Sequence, residues 1–259
     1  MLIDSHCHLD AAEFEADRAA VIQAAIAAGV VQMVVPAVFR QNFDAVIQLH
    51  QEFPQCVYAL GIHPMYVDES QENDLIVLSA YLQQFKPVAV GEIGLDYFVT
   101  KANVEKQIYF FTEQLKLANV HHLPVILHVR NAIDDVLKYV RKFKPNGGIA
   151  HAFNGSFQQA QQLIDLGFKL GFGGAMTYDR ALKIRELAKK LPLEAMVLET
   201  DAPDIPPSWL TNKGRNAPAE LPKIAEILAE MRGVNVAEIH EKCRLNTQTV
   251  LTKIVELCT

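Results

Sequence analysis

The chain has 259 residues, half of them hydrophobic, with 24 Lys and Arg against 30 Asp and Glu and a formal net charge of −6. That length suits one large domain or two small ones, and the negative balance argues against a protein that coats nucleic acid through a broad basic face. The four cysteines, Cys7, Cys56, Cys243 and Cys258, form no C-x-x-C pair, which fits a reducing cytosol rather than a disulfide framework or a cysteine zinc finger.

Taken in order, Leu2-Ile3 is a short buried strand that runs into the polar group Asp4-Ser5-His6-Cys7-His8. On an extended chain, side chains alternate faces. His6 and His8 then point one way and Cys7 the other, and two neighbouring imidazoles make half of a metal site. No basic segment precedes an apolar run here, so the start does not read as a signal peptide, and a cytoplasmic protein is expected. Ala19 to Phe39 carries no charge and has the length of a bilayer span. Gly29 breaks it, however, into a helix at Ala19–Ala28 and a strand at Val30–Val35, so no membrane association is expected.

Further apolar runs predict strands at Cys56–Leu60, Pro87–Val90, Pro124–Leu127, Gly148–Ala150, Phe168–Phe172 and Ala195–Leu198. Amphipathic stretches between them predict helices at Phe43–Gln51, Asp74–Phe85, Val104–His121, Ala132–Phe143, Phe157–Leu166 and Arg180–Leu191. Eight short buried strands alternating with helices imply a parallel sheet, and at this length a closed (β/α)8 TIM barrel. No Gly-rich dinucleotide loop follows the first strand, which removes the main argument for an open doubly wound sheet. The tail from Ala217 reads as helical throughout: a helix to about Met231 stopped by Gly233, then another capped by Asn235. These are the eighth barrel helix plus extra C-terminal helices. No linker divides the chain, so residues 1–259 are read as one domain.

In such a barrel the chemistry collects where the strands end. Those ends carry His6 and His8, then His63, Glu92 with Asp96, His128 with Arg130, His151, and Glu199 with Asp201. A lone histidine at a strand end is usually a hydrogen-bonded structural residue. Recurrence at matching positions is different, because a shared mouth lined with imidazoles and carboxylates leaves many polar groups to satisfy without a cation. Four histidines and two carboxylates are too many for one tetrahedral catalytic ion and suit two ions with one carboxylate bridging. The imidazole content favours Zn, Mn, Fe, Co or Ni, with Mg still possible.

With those residues in hand, the sequence resembles the TatD family of metal-dependent hydrolases, usually described as deoxyribonucleases. The matching motifs are Asp4-Ser5-His6-Cys7-His8-Leu9, Gly61-Ile62-His63-Pro64, Gly91-Glu92-Ile93-Gly94-Leu95-Asp96-Tyr97 and Leu123 to Arg130. His151-Ala152-Phe153-Asn154-Gly155, Glu199-Thr200-Asp201-Ala202-Pro203 and Arg215-Asn216-Ala217-Pro218 complete the set. The resemblance implies a (β/α)8 barrel with two divalent metal ions, Zn, Mn or Mg. It implies that His6, His8 and Asp201 hold one ion with a bridging Glu92, and that Glu92, His128 and His151 hold the other. It gives Asp201 the attacking water and His63 a substrate phosphate. Two departures stand out: Met65 where many relatives have a second histidine, and Ala152 in place of a common cysteine.

DNA is the substrate so implied, cleaved as single strands or ends because a narrow mouth admits these more readily than duplex. Two such ions, at about +4 against about −2 from the two carboxylates, would make the mouth positive in an acidic chain. Arg130 shares the face of His128 and is the leading basic substrate contact; Arg40, Lys101, Arg180, Lys213 and Arg215 are further candidates. Tyr66, Tyr97, Phe98, Phe153, Tyr178 and Trp209 are placed to stack on bases. Glu199 and Asp96 are expected to orient ligands. The same centre would also serve hydrolysis of an amide, ester or lactone, and no protein partner is called for.

Overall fold

The structure, a computed structural model, describes residues 1–98, 103–210 and 214–254. Two runs of parallel strands follow the chain in order. The first is β1 (Leu2–Asp4), β2 (Val30–Pro36) and β3 (Cys56–Ala59). The second is β4 (Val90–Asp96), β5 (Val125–Arg130), β6 (Gly148–Ala150), β7 (Phe168–Phe172) and β8 (Met196–Leu198). Backbone hydrogen bonds cross both seams. Val88 N–H donates to Tyr58 O and Gly91 N–H to Leu60 O, each at 3.0 Å; Ser5 N–H donates to Leu198 O at 3.0 Å and Asp201 N–H to His6 O at 2.9 Å. The result is the expected (β/α)8 barrel.

The helices between strands are α1 (Arg18–Ala27), α2 (Phe43–Glu52), α3 (Glu72–Phe85), α4 (Val104–Val120), α5 (Ile133–Phe143), α6 (Phe157–Asp165) and α7 (Leu182–Lys190). Their apolar faces and the outward side chains of the strands make one core. A second core lies inside the barrel. Ile3, Val34, Val57, Ala59, Val88, Ala89, Ile126, Ile149 and Val197 come from seven different strand positions around the ring and meet only there. After α8 (Leu221–Arg232) and α9 (Val236–Val250), the chain adds Val250, Leu251 and Ile254 to this inner core. Gln32 Nε2 donates to Ile254 O at 2.9 Å, so the end of the tail closes the barrel floor.

The uncharged stretch from Ala19 divides as expected, with Gly29 at φ 92° turning the chain between α1 and β2. Among the described residues no helix is long and apolar enough to cross a membrane. Asn235 caps α9 by accepting Ala237 N–H at 2.8 Å, and Gly233 ends α8 at φ 65°. The strand limits depart from the sequence reading at the polar ends. β4 and β5 continue through their polar residues to Asp96 and Arg130, because Gly94 pairs with His128 and Asp96 with Arg130 in the ladder. A Cβ on Gly94 would come within 1.9 Å of His128 O, so only glycine lets the two strands run so close. Conversely β1 stops at Asp4, and His6 and His8 lie just past it.

Candidate metal centre

Asp4 is the hinge between the first and last strands. It is fully buried, and its Oδ1 accepts Thr200 N–H at 2.9 Å and His6 N–H at 3.3 Å. Its Oδ2 accepts the Thr200 hydroxyl at 2.5 Å. Asn216, also fully buried, donates to Thr200 O at 2.7 Å and Asp204 O at 2.8 Å. These bonds fix the backbone on either side of Asp201, which sits at φ 57°. Neither Asp4 nor Asn216 was singled out from sequence, although an acid between Ile3 and His6 was the available signal.

The six side chains expected to hold metal converge. His6 Nε2 lies 3.2 Å from His8 Nε2, although the pair is beyond the strand whose alternation was used to align it, and Cys7 turns into the outer core as expected. Asp201 Oδ1 is 3.5 Å from His6 Nε2 and 3.7 Å from His8 Nε2. Glu92, almost fully buried, is at the middle: its Oε2 is 3.1 Å from His6 Nε2, and its Oε1 is 2.8 Å from His151 Nε2 and 2.9 Å from His128 Nδ1. Among the described residues three sets of groups offer atoms within 4.8 Å of one another: His6, His8 and Asp201; His6, Glu92 and His151; His63, Glu92 and His128.

Electrostatics explain how so many polar groups share one place. Burial alone would raise Glu92, but the imidazoles of His151, His6 and His63 and the bond to His128 hold its carboxyl well below the usual range. Burial would lower His151, yet Glu92, backed by Asp201 and Glu199, pushes it up to about 10. Burial takes His6 down to about 3, so its ring stays neutral. A nest of imidazole nitrogens and carboxylate oxygens at this spacing is the donor set of divalent transition-metal ions, and it fits them.

The surrounding bonds set which nitrogens are free. Asp96 Oδ2 lies 3.0 Å from His128 Nε2 and accepts its N–H, which leaves Nδ1 toward Glu92. Glu199 Oε1 accepts Ala152 N–H at 2.5 Å and lies 3.9 Å from His151 Nδ1, so it supports the loop under His151 more than the ring. His63 differs from the rest. Its Nδ1 accepts Met65 N–H at 3.1 Å, so the neutral ring carries its proton on Nε2, facing Glu92 Oε1 at 3.4 Å.

A model of the family described as TatD-related DNase matches residues 3–252. The chain belongs to the TatD family of metal-dependent hydrolases. An uncharacterized metal-dependent hydrolase of Escherichia coli K12, YjjV, is 39% identical over 251 residues, covering 96% of each chain. The crystal structure described as that TatD homolog superposes with a TM-score of 0.92 over 96% of this chain and 97% of the other. A Salmonella typhimurium protein named 3'-5' ssDNA/RNA exonuclease TatD is 34% identical, covering 90% of this chain and 92% of its own length.

Within this TatD-family barrel the other sequence candidates separate. Arg215 is bound to Asp17 at 2.6 and 2.9 Å and stacked over Phe14, so it clamps two loops together rather than facing a substrate. Arg40 faces Asp74 at 3.7 Å. Trp209 Nε1 donates to Glu220 at 2.6 Å and Tyr97 OH to Asp135 at 2.9 Å, while Phe153 is buried. Arg130 and Phe98 are exposed, as is Met65. Lys101, Lys213 and Cys258 lie outside the described residues. Ser156 caps α6, and Gly171, Gly173 and Gly174 are close-approach glycines, each set against Glu199 or the backbone of Ile205.

Proposed function

We propose that this TatD-family chain is a phosphodiesterase that removes nucleotides from the ends of single-stranded DNA with the help of two divalent ions, Zn, Mn or Mg. The observation that carries the reading is the convergence of His6, His8, His128, His151 and Asp201 upon Glu92. The likeness to the Salmonella protein named as a single-strand exonuclease supports the choice of substrate.

In this reading His6, His8 and Asp201 would hold one ion and His128 and His151 the other, with Glu92 contributing to both. Such a pair supplies an activated water and stabilises the charge that develops on phosphoryl oxygens. The chain supplies the rest. Asp201 orients the attacking water and takes its proton. His63, with its proton on Nε2, donates to a phosphate oxygen, and Arg130 adds a positive charge at the side of the site. Asp96 keeps His128 in the tautomer that faces Glu92.

The test is a substrate screen on protein purified without chelator. Single-stranded oligonucleotides should yield mononucleotides, and both Asp201→Asn and Glu92→Ala should abolish the release. Metal analysis should find up to two ions per chain. Intact DNA together with turnover of simple esters or amides, lost in the same two variants, would replace the phosphodiester reading with one on a carbonyl.

A further inference from the structure

Asp96 links the metal centre to an exposed aromatic ring. Its Oδ2 meets His128 Nε2 at 3.0 Å, and its Oδ1 accepts the backbone N–H of Phe98 at 2.8 Å. The Phe98 ring is 62% exposed. The guanidinium carbon of Arg130 lies 3.8 Å from its centroid, the spacing of a stacked pair. Arg130 is two residues past His128 and stands opposite Asp96 in the β4–β5 ladder. The frame beneath is fixed: Tyr97 N–H donates to Arg130 O and Tyr97 OH to Asp135, both at 2.9 Å.

Two features of this pair are unlike an ordinary surface. Among the described residues the Arg130 guanidinium forms no hydrogen bond or ion pair and rests on the phenyl ring. Arg40 and Arg215, by contrast, are held by carboxylates. The charge and its N–H edges are therefore free, next to groups that suit an anion. A large apolar ring also stands in water where burial would stabilise it.

We propose that Phe98 and Arg130 form a stacking platform for the unpaired base beside the scissile phosphate, an inference that rests on the nuclease reading above. A nucleobase offers a flat face to the phenyl and guanidinium planes whatever its identity, and the guanidinium edge meets the neighbouring phosphate. A base inside a duplex is already stacked and paired, so the platform takes frayed ends and single strands. It selects by the state of the strand, not by its sequence.

Binding tests this without relying on turnover. Fluorescence anisotropy of a labelled single-stranded oligonucleotide is measured for the metal-loaded Asp201→Asn protein, alone and combined with Phe98→Ala or Phe98→Trp. Phe98→Ala is expected to weaken binding about tenfold, with Phe98→Trp retaining it. An oligonucleotide whose terminal residues are abasic should bind the Asp201→Asn protein and its Phe98→Ala combination alike. Because Phe98 is exposed, its removal should leave the thermal transition in place. Equal binding with and without the ring, or the same loss on the abasic strand, overturns the platform and leaves the nuclease reading standing. If neither the Asp201→Asn protein nor the metal-loaded wild-type protein binds or cuts a single strand, both fall together.

Discussion

Asp96 Oδ2 lies 3.0 Å from His128 Nε2, and that contact turns the other ring nitrogen toward Glu92, 2.9 Å away. Such carboxylate partners raise the basicity of a ligating imidazole and fix its orientation. Asp96→Ala is expected to lower metal affinity by about 10–100-fold, with secondary structure unchanged by circular dichroism. The readout is the chelator concentration that strips half of the metal. Unaltered retention would remove Asp96 from the support of the centre.

The Thr200 hydroxyl donates to Asp4 at 2.5 Å across the seam between β8 and β1. Burial pushes the Asp4 carboxyl up to about 7, and the Thr200 bonds oppose that rise. Thr200→Val keeps the shape and deletes one donor to a buried acid. A loss of about 1–3 kcal/mol is expected, read as a Tm lower by roughly 2–10 °C.

Gly171 has no room for a methyl group, since a Cβ there would lie 2.1 Å from Glu199 Oε2. Gly171→Ala should displace the Glu199 carboxylate and cost about 1–3 kcal/mol. In a Glu199→Ala background the same change should cost much less, because the obstructing group is gone. Additive losses in denaturant titrations would show that the obstruction lies elsewhere.

Burial pushes the thiols of Cys56 and Cys243 up to about 12 and raises Cys7 well above its ordinary range. An ordinary thiol becomes increasingly thiolate, and so reactive, between pH 7 and 9. These three should stay protonated across that interval in the folded protein. Peptide mass spectrometry after iodoacetamide treatment should find them unmodified at both pH values, and modified once the chain is denatured.

The barrel and the convergence of the six polar side chains were legible because a buried strand is an apolar run and a polar residue at its end interrupts it. The same rule misplaced the ends themselves. Glu92 and Asp96 read as the end of the fourth strand beyond Val90, yet they lie within β4, since backbone pairing to β5 resumes at Ile93 and runs on to Asp96. The partner of Asp4 could not be read, because Thr200 is 196 positions away in the chain. The tautomer of His63 depends on the backbone of Met65, which carries no signature in residue types. Arg215 was a candidate substrate contact from its place near a βα loop, and only the fold brings Asp17 beside it.

The inner core is completed by Val250, Leu251 and Ile254, and Gln32 of the second strand waits for the carbonyl of Ile254, 222 positions later. During synthesis the helices and strands can assemble as they emerge, but the space inside the ring stays unsealed until Val250 to Ile254 have followed them. Shortening the tail before Val250 would therefore wet the interior from the side opposite the cluster around Glu92, a defect that no change at the mouth could repair.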